Sequence, residues 1–363
     1  MRRSILHQKE KSNLPGRILR AAGRSLLVII LTVVLIAAFL VGVMAIVVHG
    51  PSPAAQRLFV LSTKETSAIG FLPHIFLSDA EIEEILHPTP PETEPEPVDT
   101  FVELAFEDGT TSESTQETVS VDSTGNVNSD ASIEIVDIKQ ALFNGKMLII
   151  PDPSKVIIGT LDNYNYGTGG MYLYEFIEKY GAIGGTNAGG FYDPNGQGNG
   201  SIPDTMVIYE GKIHYPQFGS ASGFVGLDSN HIMHVGRFTA AQAEEKGIQY
   251  GVGFGPVLIA NGEPVSLYPS GVNPRTGIGQ RSDGAILMLV IDGRQVSSLG
   301  ATYQDMTEIF LSYGAVNACN LDGGSSSMMW YQGDYINNCA SVVGIRPVPT
   351  TFLVLKEGES KDG

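Results

Sequence analysis

Residues Leu26 to Val48 form an unbroken run of 23 uncharged, mostly apolar residues. Nothing else in the chain limits its fold as strongly. As a helix rising 1.5 Å per residue the run is roughly 34 Å long, enough to cross a hydrocarbon core of about 30 Å. Seven Lys and Arg residues precede or enter it (Arg2, Arg3, Lys9, Lys11, Arg17, Arg20 and Arg24) against one acid, Glu10. The positive-inside rule keeps such an end in the cytoplasm, so residues after Val48 are expected outside the cell. The exit, Val-Val-His-Gly-Pro, lacks a small-residue cleavage pattern, which favours an uncleaved anchor over a signal peptide. No lipid-acceptor cysteine follows.

Charge then divides the chain. The formal net charge is −17, and the part beyond residue 48 alone carries −23. An acidic surface of that kind repels nucleic-acid phosphates, which excludes DNA or RNA as a partner class. Between Asp79 and Glu134 there are 16 acids and no Lys or Arg. Within this stretch Pro88-Thr-Pro-Pro-Glu-Thr-Glu-Pro-Glu-Pro97 forbids helix and internal strand. The composition predicts an extended, self-repelling stalk. The expected organisation is therefore a basic tail (1–25), a transmembrane helix (26–48), a membrane-proximal segment (49–87), an acidic linker (88–132), a folded domain (133–357) and a short tail (358–363).

Inside the folded part, short apolar runs separated by Gly, Asn and Asp turns predict strands at Met147–Ile150, Lys155–Ile158, Met206–Tyr209, Val257–Ala260, Ala285–Ile291, Val316–Leu321 and Phe352–Leu355. Helices are expected at Met171–Tyr180, stopped by Gly181, and at Tyr303–Tyr313, capped by Thr302 and stopped by Gly314. A shorter helix near Ser78–Leu86 has acids in its first turns. The expected class is mixed α/β (α+β): a single mixed-sheet domain with crossover helices, preceded by the transmembrane helix and stalk. Cys319 and Cys339 are the two cysteines. Their spacing leaves open whether they pair.

Two Asp-Gly pairs frame the most informative stretch. Ala285–Ile291 leads into Asp292-Gly-Arg294; the Tyr303–Tyr313 helix follows; Val316–Leu321 leads into Asp322-Gly-Gly324 and then Ser325-Ser-Ser327. A strand–helix–strand unit places both acids past the carboxyl ends of two parallel strands, the edge where open α/β sheets bind ligands. Asp-Gly is also ordinary turn chemistry, so either pair alone would be unremarkable. The Gly323–Ser327 loop offers N–H groups and hydroxyls suited to an anion or to sugar hydroxyls. It is neither a P-loop nor a G-x-S-x-G elbow. Asn187, in Gly184-Gly-Thr-Asn-Ala-Gly-Gly-Phe-Tyr192, stands where a ligand could approach backbone closely, or in a tight turn. Arg275 and Arg346 are each set among small or stiff residues, and their planar forks suit phosphate or carboxylate. His214, His231 and His234 show no zinc spacing and are read as structural or surface residues in a loop-like region.

The ordered set Asn187-Ala-Gly-Gly-Phe, Phe254-Gly-Pro, Pro274-Arg-Thr-Gly-Ile-Gly, Ile291-Asp-Gly-Arg, Asn320-Leu-Asp-Gly-Gly-Ser-Ser and Arg346 resembles the phosphodiester glycosidase family over about residues 133–356. The anchor and stalk are similar to those of exopolysaccharide-related bacterial members. The resemblance implies hydrolysis of a sugar-1-phosphodiester in envelope or exported glycans. It implies Asp322, Asp292 and Asn187 as catalytic candidates, and Arg275, Arg346, Arg294, Gly323, Gly324 and Ser325 as substrate or phosphate binders. Arg275 and Arg346 would hold the phosphate, Asp322 would act as nucleophile or activate water, and Asp292 and Asn187 would orient sugar or water. A metal is not required, although Asp292 and Asp322 with loop carbonyls suit Ca²⁺ or Mg²⁺. The expected partners are a glycan phosphodiester and, through residues 26–48, the lipid bilayer. Two other classes share the same cleft: a non-catalytic glycan-binding module and a sugar-phosphate transferase. Neither the sugar, the oligomeric state nor the nucleophile is encoded legibly.

Overall fold

The computed structural model describes residues 14–66, 69–87, 133–194, 197–216, 222–267, 269–339, 341 and 344–356. The expected basic tail (through residue 13), acidic stalk and final residues lie outside these. The chain divides into two compact units, Met1–Phe59 and Val60–Gly363. The first holds helix α1 (Leu14–His49), whose Ala22–His49 stretch includes an 18-residue window with a mean hydropathy of 3.3 and no buried residues. Leu35 and Phe39 are 69% and 70% exposed. A helix of this length and composition suits a membrane anchor or a signal sequence. Helix α2 (Pro53–Lys64) begins in the first unit and ends in the second.

The second unit continues with α3 (Asp79–Leu86), β1 (Glu134–Lys139), β2 (Asn144–Ile150), β3 (Val156–Thr160), α4 (Leu173–Tyr180) and β4 (Ala182–Asn187). Next come β5 (Val207–Tyr209), β6 (Lys212–Tyr215), β7 (Ser222–Asp228), β8 (Met233–Phe238), α5 (Ala240–Glu245) and β9 (Ile248–Gly253). The remainder is β10 (Val257–Ala260), β11 (Glu263–Pro264), β12 (Arg275–Arg281), β13 (Ile286–Ile291), α6 (Tyr303–Ser312), β14 (Ala315–Leu321), β15 (Met329–Tyr331), β16 (Asp334–Tyr335) and β17 (Thr350–Leu355).

The α+β class agrees with expectation, and all seven predicted strand segments are strands. The sheet plan differs. In place of one mixed sheet there are three: β1-β2-β13-β12-β14-β10-β11, β16-β15-β4-β17-β3 and β6-β5-β9-β7-β8. Every strand pairing among the described residues is antiparallel. The two strands joined through α6, β13 and β14, do run parallel, but β12 lies between them and pairs antiparallel with each.

Strand alternation explains the layering. Leu148, Ile278, Met288 and Leu321 of the first sheet, Ile158 and Phe352 of the second, and Val225 and Val235 of the third meet in one central core. The intervening residues turn outward onto helices. Met147, Leu287 and Leu289 pack with Met306 and Phe310 of α6, while Ile157 and Leu353 pack with Phe176 of α4. Both faces are covered, so these strands read as continuous apolar runs. Each fully buried Phe, Leu or Met contributes roughly 1.5–3 kcal/mol through desolvation.

The helix signals are realised in detail. Thr302 Oγ1 accepts from Asp305 N–H while the Asp305 carboxylate accepts from Thr302 N–H, closing the first turn of α6. Ser78 and Glu81 make the same reciprocal box on α3. Gly181 ends α4 at φ +65°, a conformation that favours glycine. Under α6, an ideal Cβ at Gly277 would stand 2.7 Å from Met306 Cε, so the glycine of β12 sets how closely the helix approaches.

One side-chain expectation needs correction, and the cysteine pairing that spacing left open is answered. His214 and His234 lie on strands β6 and β8, not in loops; His234 is buried and bonds Asp228 Oδ2 at 3.1 Å. Cys319 and Cys339 are both free thiols. Cys319 points into the central core, whereas Cys339 lies on a loop with its Sγ 3.4 Å from the Ser325 carbonyl.

Candidate active site at the carboxyl edge of two sheets

The interposed β12 brings the sequence candidates to one edge. Arg275 opens β12 opposite Ile291, the last residue of β13, and Thr276 stands opposite Leu321, the last of β14. Asp292 and Asp322 therefore follow their strands on the edge where Arg275 begins. Asn187, at the end of β4, comes from the second sheet and is fully buried. Its amide donates to the Asp322 main-chain oxygen at 2.6 Å. Its carbonyl accepts from Thr276 Oγ1 at 3.0 Å and Met328 N–H at 3.2 Å. One side chain thus ties the two sheets together beneath Asp322.

Around Asp322 the structure assembles Ser325, Ser326, Arg346 and two acids. The Asp322 carboxyl is half-buried, and the desolvation it does suffer pushes its pKa up to about 7. A hydrogen bond with the Ser326 side chain and the Arg346 charge oppose the rise; Asp204 and Asp193 reinforce it. Arg346 donates to Asp193 Oδ2 at 2.8 Å, Ser325 Oγ at 3.1 Å and the Gly198 carbonyl at 3.0 Å, and its guanidinium lies 4.9 Å from the Phe191 ring centre. Burial alone would raise the Asp193 carboxyl. The Arg346 hydrogen bond and charge, with Gly198 N–H, outweigh that and hold it below the usual range. Asp204 is pushed upward by desolvation and by Asp193. A carboxyl that titrates near neutrality beside a fixed guanidinium can take or give a proton next to a bound anion.

Arg275 and Arg294 join a second cluster. Alternation puts Thr276 toward Asn187 and Arg275 on the opposite face, 4.2 Å from the Tyr303 ring centre of α6. Arg275 Nε donates to the Ala301 carbonyl at 3.0 Å, and Nη2 donates to the Gly271 carbonyl at 2.7 Å and to Glu65 Oε2 at 2.6 Å. Glu65 also accepts from Asn273 Nδ2 and Gly271 N–H. Arg294, at φ +56°, donates to Thr66 Oγ1 and Asn273 Oδ1. The clusters meet at the Asp-Gly-Gly loop. Gly324 N–H donates to the Pro274 carbonyl, and an ideal Cβ at Gly324 would lie 3.4 Å from Arg294 Nη2. Gly323 sits close over Pro274, where a Cβ would come within 2.8 Å of its carbonyl oxygen.

Asp292 is held by its own set of donors. Its carboxylate accepts from Asn338 N–H at 2.9 Å and Asn337 Nδ2 at 3.2 Å, while its main-chain oxygen accepts from Ser298 Oγ. Desolvation leaves its pKa raised despite these donors. Asn337 also donates to the Ser327 carbonyl and accepts from Met329 N–H, so Asp292 steadies the strip that follows the Asp-Gly-Gly loop. Among the described residues, no three His, Cys, Asp or Glu side chains converge on a point that would hold a metal ion.

Sequence reasoning missed Glu65, Asn273, Asp193 and Asp204. Glu65 lies 210 residues before Arg275, and no local pattern links them. Asp193 had a weak signal, two residues beyond the Gly189-Gly-Phe run that carries Asn187.

Residues 180–355 match the family model for phosphodiester glycosidases. That span carries Asn187, Arg275, Asp292, Asp322 and Arg346. Strands β1, β2 and β3 precede the phosphodiester glycosidase match, yet they pair directly with β13 and β17, so the folded unit is longer than the matched span. The fold is that of the zebrafish N-acetylglucosamine-1-phosphodiester alpha-N-acetylglucosaminidase catalytic domain, auto-inhibited by its pro-peptide. That likeness has a TM-score of 0.50 and 17% identity over 62% of this chain and 82% of that one. A hypothetical protein from Synechocystis aligns with a TM-score of 0.42 and 17% identity over 61% of each chain. The SPbeta prophage-derived uncharacterized protein YomE of Bacillus subtilis (strain 168) is 44% identical over 81 residues, 22% of this chain; the match spans 13% of that relative's length.

Proposed function

We propose that the second unit hydrolyses the glycosidic bond of a sugar-1-phosphodiester, with Asp322 and Arg346 at the centre of the chemistry. The observation that carries this reading is their convergence on one loop. Ser325 bonds Arg346 and Ser326 bonds Asp322, within the span that matches the phosphodiester glycosidase family. A phosphate monoester leaves more readily than a sugar alkoxide, so strong acid assistance to the leaving oxygen is unnecessary. Arg346 binds the phosphate and stabilises its growing charge. Asp322, ionised in about half of molecules near pH 7, takes a proton from water as that water attacks the anomeric carbon. The anomeric carbon–oxygen bond breaks, and its electron pair leaves on the phosphate. Asn187 fixes the main chain of Asp322. The natural substrate on this reading is an envelope or exported glycan reached from a membrane anchor, with the N-terminus cytoplasmic and the second unit extracellular.

Arg275 is left out of this role because its guanidinium lies against Tyr303, on the face of β12 opposite the one that Thr276 turns toward Asn187. A pro-peptide inhibits the zebrafish relative, and Glu65 invites the same comparison. Its position on the α6 face, opposite Asn187, supports an anchoring contact instead of a plug over Asp322. Glu65→Gln separates the two: a plug predicts higher turnover, an anchor predicts lower stability with no gain in turnover.

The test of the main reading is release of free sugar from a panel of sugar-1-phosphodiesters by the parent and by Asp322→Asn. Release by the parent and not by the variant supports it. No release by the parent, with binding of envelope glycans, supports instead a tethered glycan-binding module.

A further inference from the structure

Beside the Asp322–Arg346 cluster, two large aromatic side chains are turned toward solvent. Tyr166 is 74% exposed and Tyr192 is 53% exposed. Their ring centres are 5.9 Å apart and the ring planes are perpendicular, an edge-to-face pair that walls an L-shaped notch at the surface. Neither ring belongs to the three-sheet core. Tyr166 sits in a loop beyond β3 whose shape is fixed by Asn165 Oδ1, which accepts from Gly167 N–H and Thr168 N–H. Tyr192 is held by its main-chain N–H to the Ile202 carbonyl at 2.8 Å. The backbone under both rings is thus built, while more than half of each residue's surface stays exposed.

The notch adjoins the reaction site. Tyr192 immediately precedes Asp193, whose carboxylate accepts from Arg346. The topology supports the placement: β3, whose end launches the Tyr166 loop, lies two strands from β4, with β17 between them, and Thr160 and Asn187 finish their strands on the same edge. At about 4.8 Å per strand step that is about 10 Å. The Tyr215 hydroxyl feels the charges of both Tyr166 and Asp204, and Asp204 in turn acts on Asp322.

We propose that Tyr166 and Tyr192 form a sugar-binding subsite next to the Asp322–Arg346 site, so that the substrate is an oligosaccharide or polysaccharide phosphodiester and not a single sugar. The inference rests on the proposed phosphodiester glycosidase activity and adds the subsite that would make binding depend on the length of the glycan. A pyranose ring presents a flat face of C–H groups with hydroxyls at its rim. Tyrosine meets that surface with a rigid aromatic face and a hydroxyl at the edge, at little cost in conformational entropy. Asn165 and Asp193, the chain neighbours of the two tyrosines, carry groups that suit the hydroxyl rim.

The experiment uses the full chain in detergent micelles and N-acetylglucosamine 1-(methyl phosphate), alone and extended by one, two or three further N-acetylglucosamine units, with a glucose series alongside. Binding is measured calorimetrically for the parent, Tyr166→Ala/Tyr192→Ala and Tyr166→Phe/Tyr192→Phe. The parent is expected to bind the longer compounds roughly tenfold more tightly than the single sugar, the scale of one well-made aromatic contact. The alanine variant should lose that gain and keep its single-sugar affinity and thermal midpoint, and the phenylalanine variant should keep the gain. An affinity in the parent that does not grow with length, or a gain that survives in the alanine variant, overturns the subsite. Hydrolysis is followed in the same samples. Hydrolysis of the single sugar with no length dependence rejects the subsite alone. Length-dependent binding without hydrolysis rejects the glycosidase reading alone.

Discussion

The Asn187 side chain donates to the main-chain oxygen of Asp322 and accepts from Thr276 and Met328, which puts three separate strands or loops on one amide. Replacing it with alanine leaves the Thr276 hydroxyl and the Met328 N–H unpaired in a site with no solvent. Asn187→Ala is expected to cost about 2–4 kcal/mol of stability, since each buried group left without a partner costs about 1–3 kcal/mol. A denaturant titration reads the cost. An unchanged midpoint would show that the amide does not bind the sheets together.

Asp322 gives a pH signature. Its carboxyl titrates near 7 in the folded chain against an ordinary value of 3.8. Between about pH 4 and 7 the folded state keeps a proton that the unfolded chain releases, so this group lowers stability as pH rises through that window and adds no further change above it. Asp322→Asn removes the slope, which is at most about 1.4 kcal/mol per pH unit. The variant should therefore gain on the parent from pH 4 to 7 while losing turnover. Parallel stability curves for the two proteins would contradict the raised value.

The Glu65–Arg275 pair, with side chains 26% and 6% exposed, is an anchor between the end of α2 and the start of β12. Breaking one partner of a buried pair costs about 3–5 kcal/mol, and Glu65 at the margin of burial should show the lower end. Glu65→Ala and Arg275→Ala are each expected to destabilise the protein, and the double variant to cost clearly less than their sum. Additive costs in the cycle would mean that the two groups do not act together.

Asp292 holds the Asn337–Asn338 strip, and Cys339 follows directly. Burial raises the Cys339 thiol's pKa, which slows its reaction. Asp292→Ala should free the strip and speed labelling of Cys339 by a thiol reagent, while Cys319, buried in the core, stays protected. Identical labelling rates would remove the strip-holding role from Asp292.

What could be read in the sequence depended on how local its signals were. Caps at Ser78 and Thr302 and the stop at Gly181 act within one turn of chain, and the helices fall almost where those residues placed them. Apolar runs such as Ala285–Ile291 are visible because both faces of their strands are covered. Strand β12 has no such run: Gly277 and Gly279 interrupt the pattern because α6 packs directly on them, so the segment reads as a motif instead of a strand. Missing β12 hid the three-sheet plan. It also hid that Arg275 and Thr276 face opposite ways, which separates Arg275 from Asn187 and Asp322. Asn187, Asp322 and Arg346 were legible from their motifs, whereas Glu65 and Asp193 act through partners 210 and 153 residues away.

Strand β17 lies inside its sheet, between β3 and β4, although it comes last among the described strands. During synthesis β3 and β4 emerge early and have no common neighbour until Thr350–Leu355 appears. The second sheet closes only when almost the whole domain has left the ribosome. Until then, exposed edges of β3 and β4 are templates for pairing with other chains. A nascent chain of this protein thus holds β3 and β4 apart until β17 emerges, and a stop codon before residue 350 would leave a product without the strand that joins them.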